Sequence, residues 1–189
     1  ILVIYGCSGY EKIISNNKKQ ILITRKALAL ESQLDPLLGI YSRKALISKF
    51  NKLAMQSNPL AQKVTIISLT LNGLKELNVK CGQNFANDVL LIISSRINFE
   101  LGKNDIIGRI SGNEFVIIKM TNNRKIVAAF FDKLLTYVCE PVSFDNHTTE
   151  IDINAGYIVY DKIVGNLLTQ LSIIDMTNHT KAITDTGGL

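Results

Sequence analysis

Apolar positions recur along this chain in two rhythms, and the switches between them mark out its elements. Between residues 17 and 34, Ile23, Ala27, Leu30 and Leu34 step by four, three and four, the seam spacing of a short coiled coil. The helix this predicts either pairs with a partner or packs on its own domain. Asp35-Pro36 ends it, because a proline ring pushes the preceding residue out of the helical region. A second helix follows Ser42, whose hydroxyl suits an N-cap, with Ala45, Leu46, Phe50, Leu53 and Ala54 on one face. Ser57-Asn58-Pro59 breaks that rhythm. Residues 64–71 are rich in β-branched side chains and read as a buried strand. A loop centred on Cys81-Gly82 is then expected to lead into a long helix, with Phe85, Val89, Leu90, Ile93 and Ile97 on a broad apolar face. Residues 106–110 and 115–120 are predicted strands joined at Ser111-Gly112-Asn113-Glu114, a hairpin on spacing alone. Residues 123–137 read as a helix through Ile126, Phe130 and Leu134, 150–160 as a strand, and 166–178 as a last amphipathic helix.

The core order is strand, helix, strand, strand, helix, strand. That is an α+β fold, a βαββαβ ferredoxin-like or palm-type antiparallel sheet with flanking helices, expected on one face. Residues 1–34 are read as an N-terminal segment and signalling or linker helix, and 35–189 as one domain. The chain opens on Ile rather than Met, which is read as an excerpt of a longer protein.

Composition narrows the function classes. At 47% hydrophobic the chain is rich enough for a buried core. No apolar run reaches the roughly 18 residues needed to span a bilayer. Three cysteines, Cys7, Cys81 and Cys139, at unrelated spacings fit reduced thiols better than a disulfide framework. With only His147 and His179 no zinc pattern emerges. The net charge of +5 is spread along the chain, clustering only at Lys18-Lys19 and Arg25-Lys26 without interleaved aromatics. That is not the signature of a nucleic-acid groove. A cytoplasmic domain is expected, or one at the inner face of a membrane as part of a longer protein.

Four spaced blocks carry a resemblance. Asp35-Pro36-Leu37-Leu38-Gly39-Ile40-Tyr41-Ser42-Arg43-Lys44-Ala45-Leu46 is similar to D-x-L-T-G-L-x-N-R-R-x-F. Thr70-Leu71-Asn72-Gly73-Leu74-Lys75-Glu76-Leu77-Asn78 is similar to D-x-D-x-F-K-x-I-N. Gly82-Gln83-Asn84-Phe85-Ala86-Asn87-Asp88-Val89-Leu90 follows at the distance of G-H-x-x-G-D-x-x-L. Ser111-Gly112-Asn113-Glu114-Phe115 lies on G-G-D-E-F, with Arg109 in its usual place before it. Over residues 35–180 the chain resembles a GGDEF domain of the diguanylate cyclase family.

The resemblance implies a palm-like domain that binds GTP and, facing a second copy, condenses two GTP to cyclic di-GMP. In that family metal ions sit on the first Asp of the D-x-D block and on the acid at the third signature position. Here those positions are Thr70 and Asn113, uncharged groups that make weak ligands for hard cations. Only Glu114 keeps its acid, and it would be catalytic only if activity remains. Asn78 matches the family's guanine-binding amide, and Lys75 its phosphate-contacting lysine or else a solvated helix-edge residue. Asn87 stands where an Asp accepts from guanine, and an amide there should weaken guanine selectivity. Near the C-terminus, where the family carries a phosphate-binding lysine, the chain reads Asp175-Met176-Thr177-Asn178-His179. The inhibitory R-x-x-D stretch aligns with Gly102-Lys103-Asn104-Asp105 and lacks its Arg.

The leading expectation is a catalytically degenerate GGDEF domain with a regulatory, GTP-sensing or dimerisation role. It would require no cofactor, with Mg²⁺ used only if activity remains. Its expected partners are GTP, an adjacent EAL phosphodiesterase domain, and a second copy through the N-terminal helix, with no nucleic acid. The alternatives are a weak diguanylate cyclase relying on Glu114 and an interaction module without a ligand.

Overall fold

The computed structural model describes residues 33–56, 63–144, 147–162 and 165–177. In chain order the elements are α1 (Arg43–Ala54), β1 (Val64–Leu71), α2 (Leu74–Glu100), β2 (Ile106–Ser111), β3 (Glu114–Lys119), α3 (Arg124–Val138), β4 (Val142–Phe144), β5 (His147–Thr149), β6 (Ile153–Tyr160) and α4 (Leu167–Thr177). Most of the helix expected over 17–34, with Ile23, Ala27 and Leu30, lies outside the described residues, as does His179. Its expected last residue, Leu34, is not helical. It bridges Tyr41 across a tight loop, because the Asp35 carboxylate accepts from the Leu37 and Leu38 amides at 3.1 and 2.9 Å and turns the chain back.

The β-branched segment 64–71 becomes the centre of a four-stranded sheet of order β2-β3-β1-β6. β1 is antiparallel to both neighbours, with Ile67 opposite Ile117 on one side and Tyr157 on the other. Alternation along β1 divides the core. Ile67, Leu69 and Leu71 join Phe85, Val89, Ile93, Phe115 and Leu134 on the α2/α3 face. Val64 and Ile66 join Leu46, Phe50, Val116, Leu167 and Ile174 on the other. The helices therefore cover both faces of the sheet, not one as expected. α1 and α4 carry enough apolar surface of their own to need that second face.

The segment around Cys81-Gly82 is helical rather than a loop. Leu74, Leu77 and Cys81 pack against the core at helical spacing, so burial overrides the polar character of their neighbours. Gly82 interrupts α2 for one residue at φ 87° and ψ 164°, a conformation essentially confined to glycine. In α3 the buried residues are Val127, Leu134, Leu135 and Val138; of the expected stripe, Leu134 is buried and Phe130 packs against the core, whereas Ile126 is 54% exposed. Asn123 caps this helix by accepting from the Lys125 and Ile126 amides. The strand expected over 150–160 begins only at Ile153, because the Asp152 carbonyl turns to the Asn72 amide at 2.8 Å. The small β4–β5 hairpin was not expected, its strands being too short to show a period. Arg96 donates to the Pro141 carbonyl at 2.9 Å and the Val138 carbonyl at 3.4 Å, closing the end of α3 onto that hairpin.

β2 lies so close to α1 that Gly108 admits no side chain. A Cβ there would stand 2.8 Å from the Tyr41 carbonyl oxygen and 2.9 Å from a Leu46 methyl. Tyr41 bridges Gly108 in parallel, its amide donating to Ile107 and its carbonyl accepting from Arg109. This contact fixes the loop of residues 35–41 beside the hairpin between β2 and β3. Among the described residues no helix is long and apolar enough to cross a membrane.

Candidate functional site

Where β1 ends, Asn72-Gly73 turns the chain into α2, Gly73 taking φ 77° just before the first helical residue. The β2–β3 hairpin ends beside this turn, because Thr70 registers opposite Glu114. Between them opens a cleft of about 500 Å³. Lys75, Asn78, Gln83 and Asn87 line it from α2, and Arg109, Gly112 and Asn113 from the hairpin. Leu71, Leu74, Ala86 and Leu90 supply apolar lining.

On the hairpin side the polar groups bind one another. The Arg109 guanidinium pairs with Asp35 at 3.2 Å, donates from Nε to the Ser111 carbonyl at 3.1 Å, and from Nη2 to the Gly112 carbonyl at 2.6 Å. Both side chains of the pair are about five-sixths buried, at 15% and 16% exposure, where removal of one partner strands the other's charge. Asn113 forms a two-way clasp with the end of β1. Its carbonyl accepts from the Leu71 amide at 2.9 Å, and its Nδ2 donates to the Leu71 carbonyl at 2.8 Å. Ser111 Oγ lies 3.4 Å from Asn113 Oδ1, which agrees with that orientation of the amide.

On the helical side fewer groups are committed. Lys75 and Asn78 form no ion pair or side-chain hydrogen bond among the described residues. Asn87 accepts from Gln83 Nε2 at 2.9 Å, one helical turn away. At the rim, Asn72 Nδ2 donates to Asp152 at 2.8 Å.

Thus Lys75, Asn78, Asn87, Gly112 and Asn113 share one cleft, whereas Thr70 and Glu114 are not among its lining residues. Strand alternation puts those two, with Asn154 opposite Thr70, on the α1/α4 face. The Ser68 hydroxyl and Asn154 Oδ1 are buried on that face without a hydrogen-bond partner among the described residues. Phe115 is wholly buried under the α2/α3 layer and serves the fold. Asp105, in the stretch aligned with the inhibitory motif, is a structural brace. Its carboxylate accepts from Lys119 at 2.7 Å and from the Gly102 and Met120 amides.

The Asn113 side chain offers a magnesium ion no carboxylate, and Glu76 is the only acid among the residues lining the cleft. The hairpin places an N–H donor against the Leu71 carbonyl, and a donor cannot ligate a cation. No group of three or more acids, histidines or cysteines occurs together among the described residues. Away from the cleft, burial pushes the Cys139 thiol pKa up; the Asp152 charge adds to this and Arg96 opposes it. The sequence carries no signal for the structural roles of Arg109 and Asp35, and only a local one for Gln83. The first two lie 74 positions apart and carry no local pattern, whereas the i, i+4 spacing of Gln83 and Asn87 was available to be read.

Comparison with known proteins agrees with this geometry. The chain is 22% identical over 135 residues to the diguanylate cyclase DgcP of Escherichia coli, covering 71% of this chain and 38% of that protein. It therefore spans well under half of that relative's length. The coiled coil and GGDEF domain of DgcB from Caulobacter crescentus, solved in complex with c-di-GMP, superimposes with a TM-score of 0.73 at 14% identity, covering 88% of this chain and 90% of that one. The S helix-GGDEF-EAL structure of LapD from Vibrio cholerae, bound to c-di-GMP, gives a TM-score of 0.67 at 20% identity, over 83% of this chain and 36% of that one. At such identities the structures support the fold alone. The family profile described as "Diguanylate cyclase, GGDEF domain" matches residues 32–177, well over half of the chain, and by that match, on the fold and hairpin described above, the chain belongs to the GGDEF domain family.

Proposed function

We propose that this domain is a non-catalytic, regulatory member of its family, acting in cyclic di-GMP signalling by holding a nucleotide without a metal ion. The observation that carries this reading is the hydrogen bond from Asn113 Nδ2 to the Leu71 carbonyl. A carboxylate at that place would face a carbonyl oxygen and need a cation between them, whereas the amide closes the gap by itself. Thr70 removes the second acid and stands on the opposite face of the sheet from the cleft. Without a cationic clamp, little remains to stabilise charge developing on a transferring phosphoryl group.

Support for the signalling role comes from the relatives, several of which join a cyclase-like region to more chain. LapD carries an EAL domain after its GGDEF domain. The bifunctional diguanylate cyclase/cyclic di-GMP phosphodiesterase MucR of Pseudomonas aeruginosa is matched over 18% of its length. In this reading an adjacent EAL domain is the partner, and nucleotide occupancy or pairing with a second copy is the signal passed on. Glu114 has no phosphoryl-transfer role in it.

Calorimetric titration of the chain with GTP and with ATP, in magnesium and then in EDTA, tests the proposal. Binding in the same weak range under both conditions is expected. Tight binding that collapses in EDTA would overturn it.

A further inference from the structure

The side of α1 turned away from the sheet is strongly basic. Leu46 and Phe50 pack on the sheet, so helical spacing turns Lys44, Ser48, Lys52 and Met55 outward. All four are exposed, as is Arg43 beside them. The helix holds the cations Arg43, Lys44, Lys49 and Lys52 and no acid. Lys49 is committed to the Tyr41 ring, 4.4 Å from its centroid. Arg43, Lys44 and Lys52 form no ion pair among the described residues. α4 covers the same face of the sheet. Around it, Asp161 accepts from Asn122, and Asp175 stands in its last turn. Apolar side chains are exposed in the same layer: Met55 at the end of α1 is 83% exposed, and Leu168 and Ile173 on α4 are 40% and 42% exposed.

We propose that the outer side of the α1/α4 layer docks on an anionic lipid bilayer. Arg43, Lys44 and Lys52 meet the phosphate headgroups, and Met55, Leu168 and Ile173 enter the apolar boundary beneath them. Docking at a bilayer surface draws on both contributions, attraction of cations to anionic lipid and burial of apolar area. A nucleic acid would answer the cations alone. It would leave the aliphatic side chains in water, and the exposed residues of α1 and α4 include no aromatic on which bases could stack. The cleft is lined from α2 and the hairpin and not from α1 or α4, so this docking is independent of what the cleft holds.

The test is co-sedimentation of the chain with vesicles of equal parts phosphatidylglycerol and phosphatidylcholine, and with phosphatidylcholine alone. Circular dichroism confirms that each variant is folded. Binding to the anionic vesicles only is expected, with release as salt is raised to about 0.5 M. Each cation near an anionic surface contributes about fivefold to partitioning. Arg43→Gln, Lys44→Gln and Lys52→Gln together should therefore lower binding about a hundredfold. Lys80→Gln, Lys103→Gln and Lys125→Gln remove the same charge from exposed positions outside the layer. That variant should stay within about threefold of the unaltered chain. Met55→Gln with Leu168→Gln should weaken binding several-fold without any change of charge. Equal losses in the two triple variants, or equal binding to the two vesicle types, would overturn the proposal. So would no vesicle binding at all. In that event, binding of polyglutamate or of duplex DNA that is lost in the first variant would assign the face to an acidic protein or to a nucleic acid.

Discussion

The two walls of the cleft use the same residue types for opposite ends. On the hairpin wall, Arg109, Asp35 and Asn113 are polar groups whose hydrogen bonds return to the chain itself. On the helical wall, Lys75, Asn78 and the amino group of Asn87 remain available. In a catalytic site both walls would keep groups in reserve for substrate and metal. Here the wall carrying the signature hairpin is closed on itself while the wall that would read a nucleotide is open. Under the proposed function, a domain built this way holds a ligand without acting on it.

If the hairpin wall is structural, breaking it should cost stability before it costs binding. Arg109→Ala removes the guanidinium from Asp35 and from two carbonyls. It should lower unfolding free energy by about 3 kcal/mol in urea titrations. Asp35→Ala should cost much of the same, and a double-mutant cycle should show the two strongly coupled.

Asn113→Asp tests the same wall more finely. It replaces the N–H facing the Leu71 carbonyl with an oxygen, losing the hydrogen bond and adding repulsion. A loss of about 2 kcal/mol is expected. Added Mg²⁺ should restore part of that loss, whereas the unaltered chain should show no magnesium dependence in thermal melts. Equal magnesium responses in the two proteins would mean that the amide does not replace a cation.

Gly82→Ala probes the helical wall. Nothing lies within 4 Å of the added Cβ, so its effect is backbone strain alone, about 1–2 kcal/mol at a φ of 87°. Because Gly82 separates the Lys75–Asn78 stretch from Gln83 and Asn87, nucleotide binding should weaken more than stability falls. The smallest stability change is expected for Lys75→Ala, within about 0.5 kcal/mol. The same change should reduce triphosphate affinity several-fold in calorimetry, and that contrast would separate the walls most cleanly.

The sheet was legible in the sequence because Val64–Leu71, 106–110 and 115–120 are dense in β-branched residues and bounded by turns. The motifs then supplied their order around the site. What stayed hidden has physical reasons. The helical turn at Leu74, Leu77 and Cys81 depends on packing against a core that local polarity does not reveal. The second covered face depends on α1 and α4 meeting across the sheet, with Leu46, Phe50, Leu167 and Ile174 drawn together from distant positions. Thr70 and Asn113 were both identified as positions where acids are expected, yet the sequence could not separate them. Asn113, in the hairpin turn, lines the cleft, whereas alternation along β1 turns Thr70 to the α1/α4 face. The Arg109–Asp35 pair spans 74 positions and follows from the close approach at Gly108, a tertiary contact with no local pattern.

Catalysis is the most direct test of the central claim. The chain is incubated with GTP and either Mg²⁺ or Mn²⁺, across protein concentrations high enough to drive pairing, and cyclic di-GMP is quantified by chromatography against a protein-free control. With Asn113 closing the hairpin wall and no acid at Thr70, the expected result is no product above that control at any concentration. Accumulation of cyclic di-GMP that rises with protein concentration and disappears in Glu114→Ala would contradict the account.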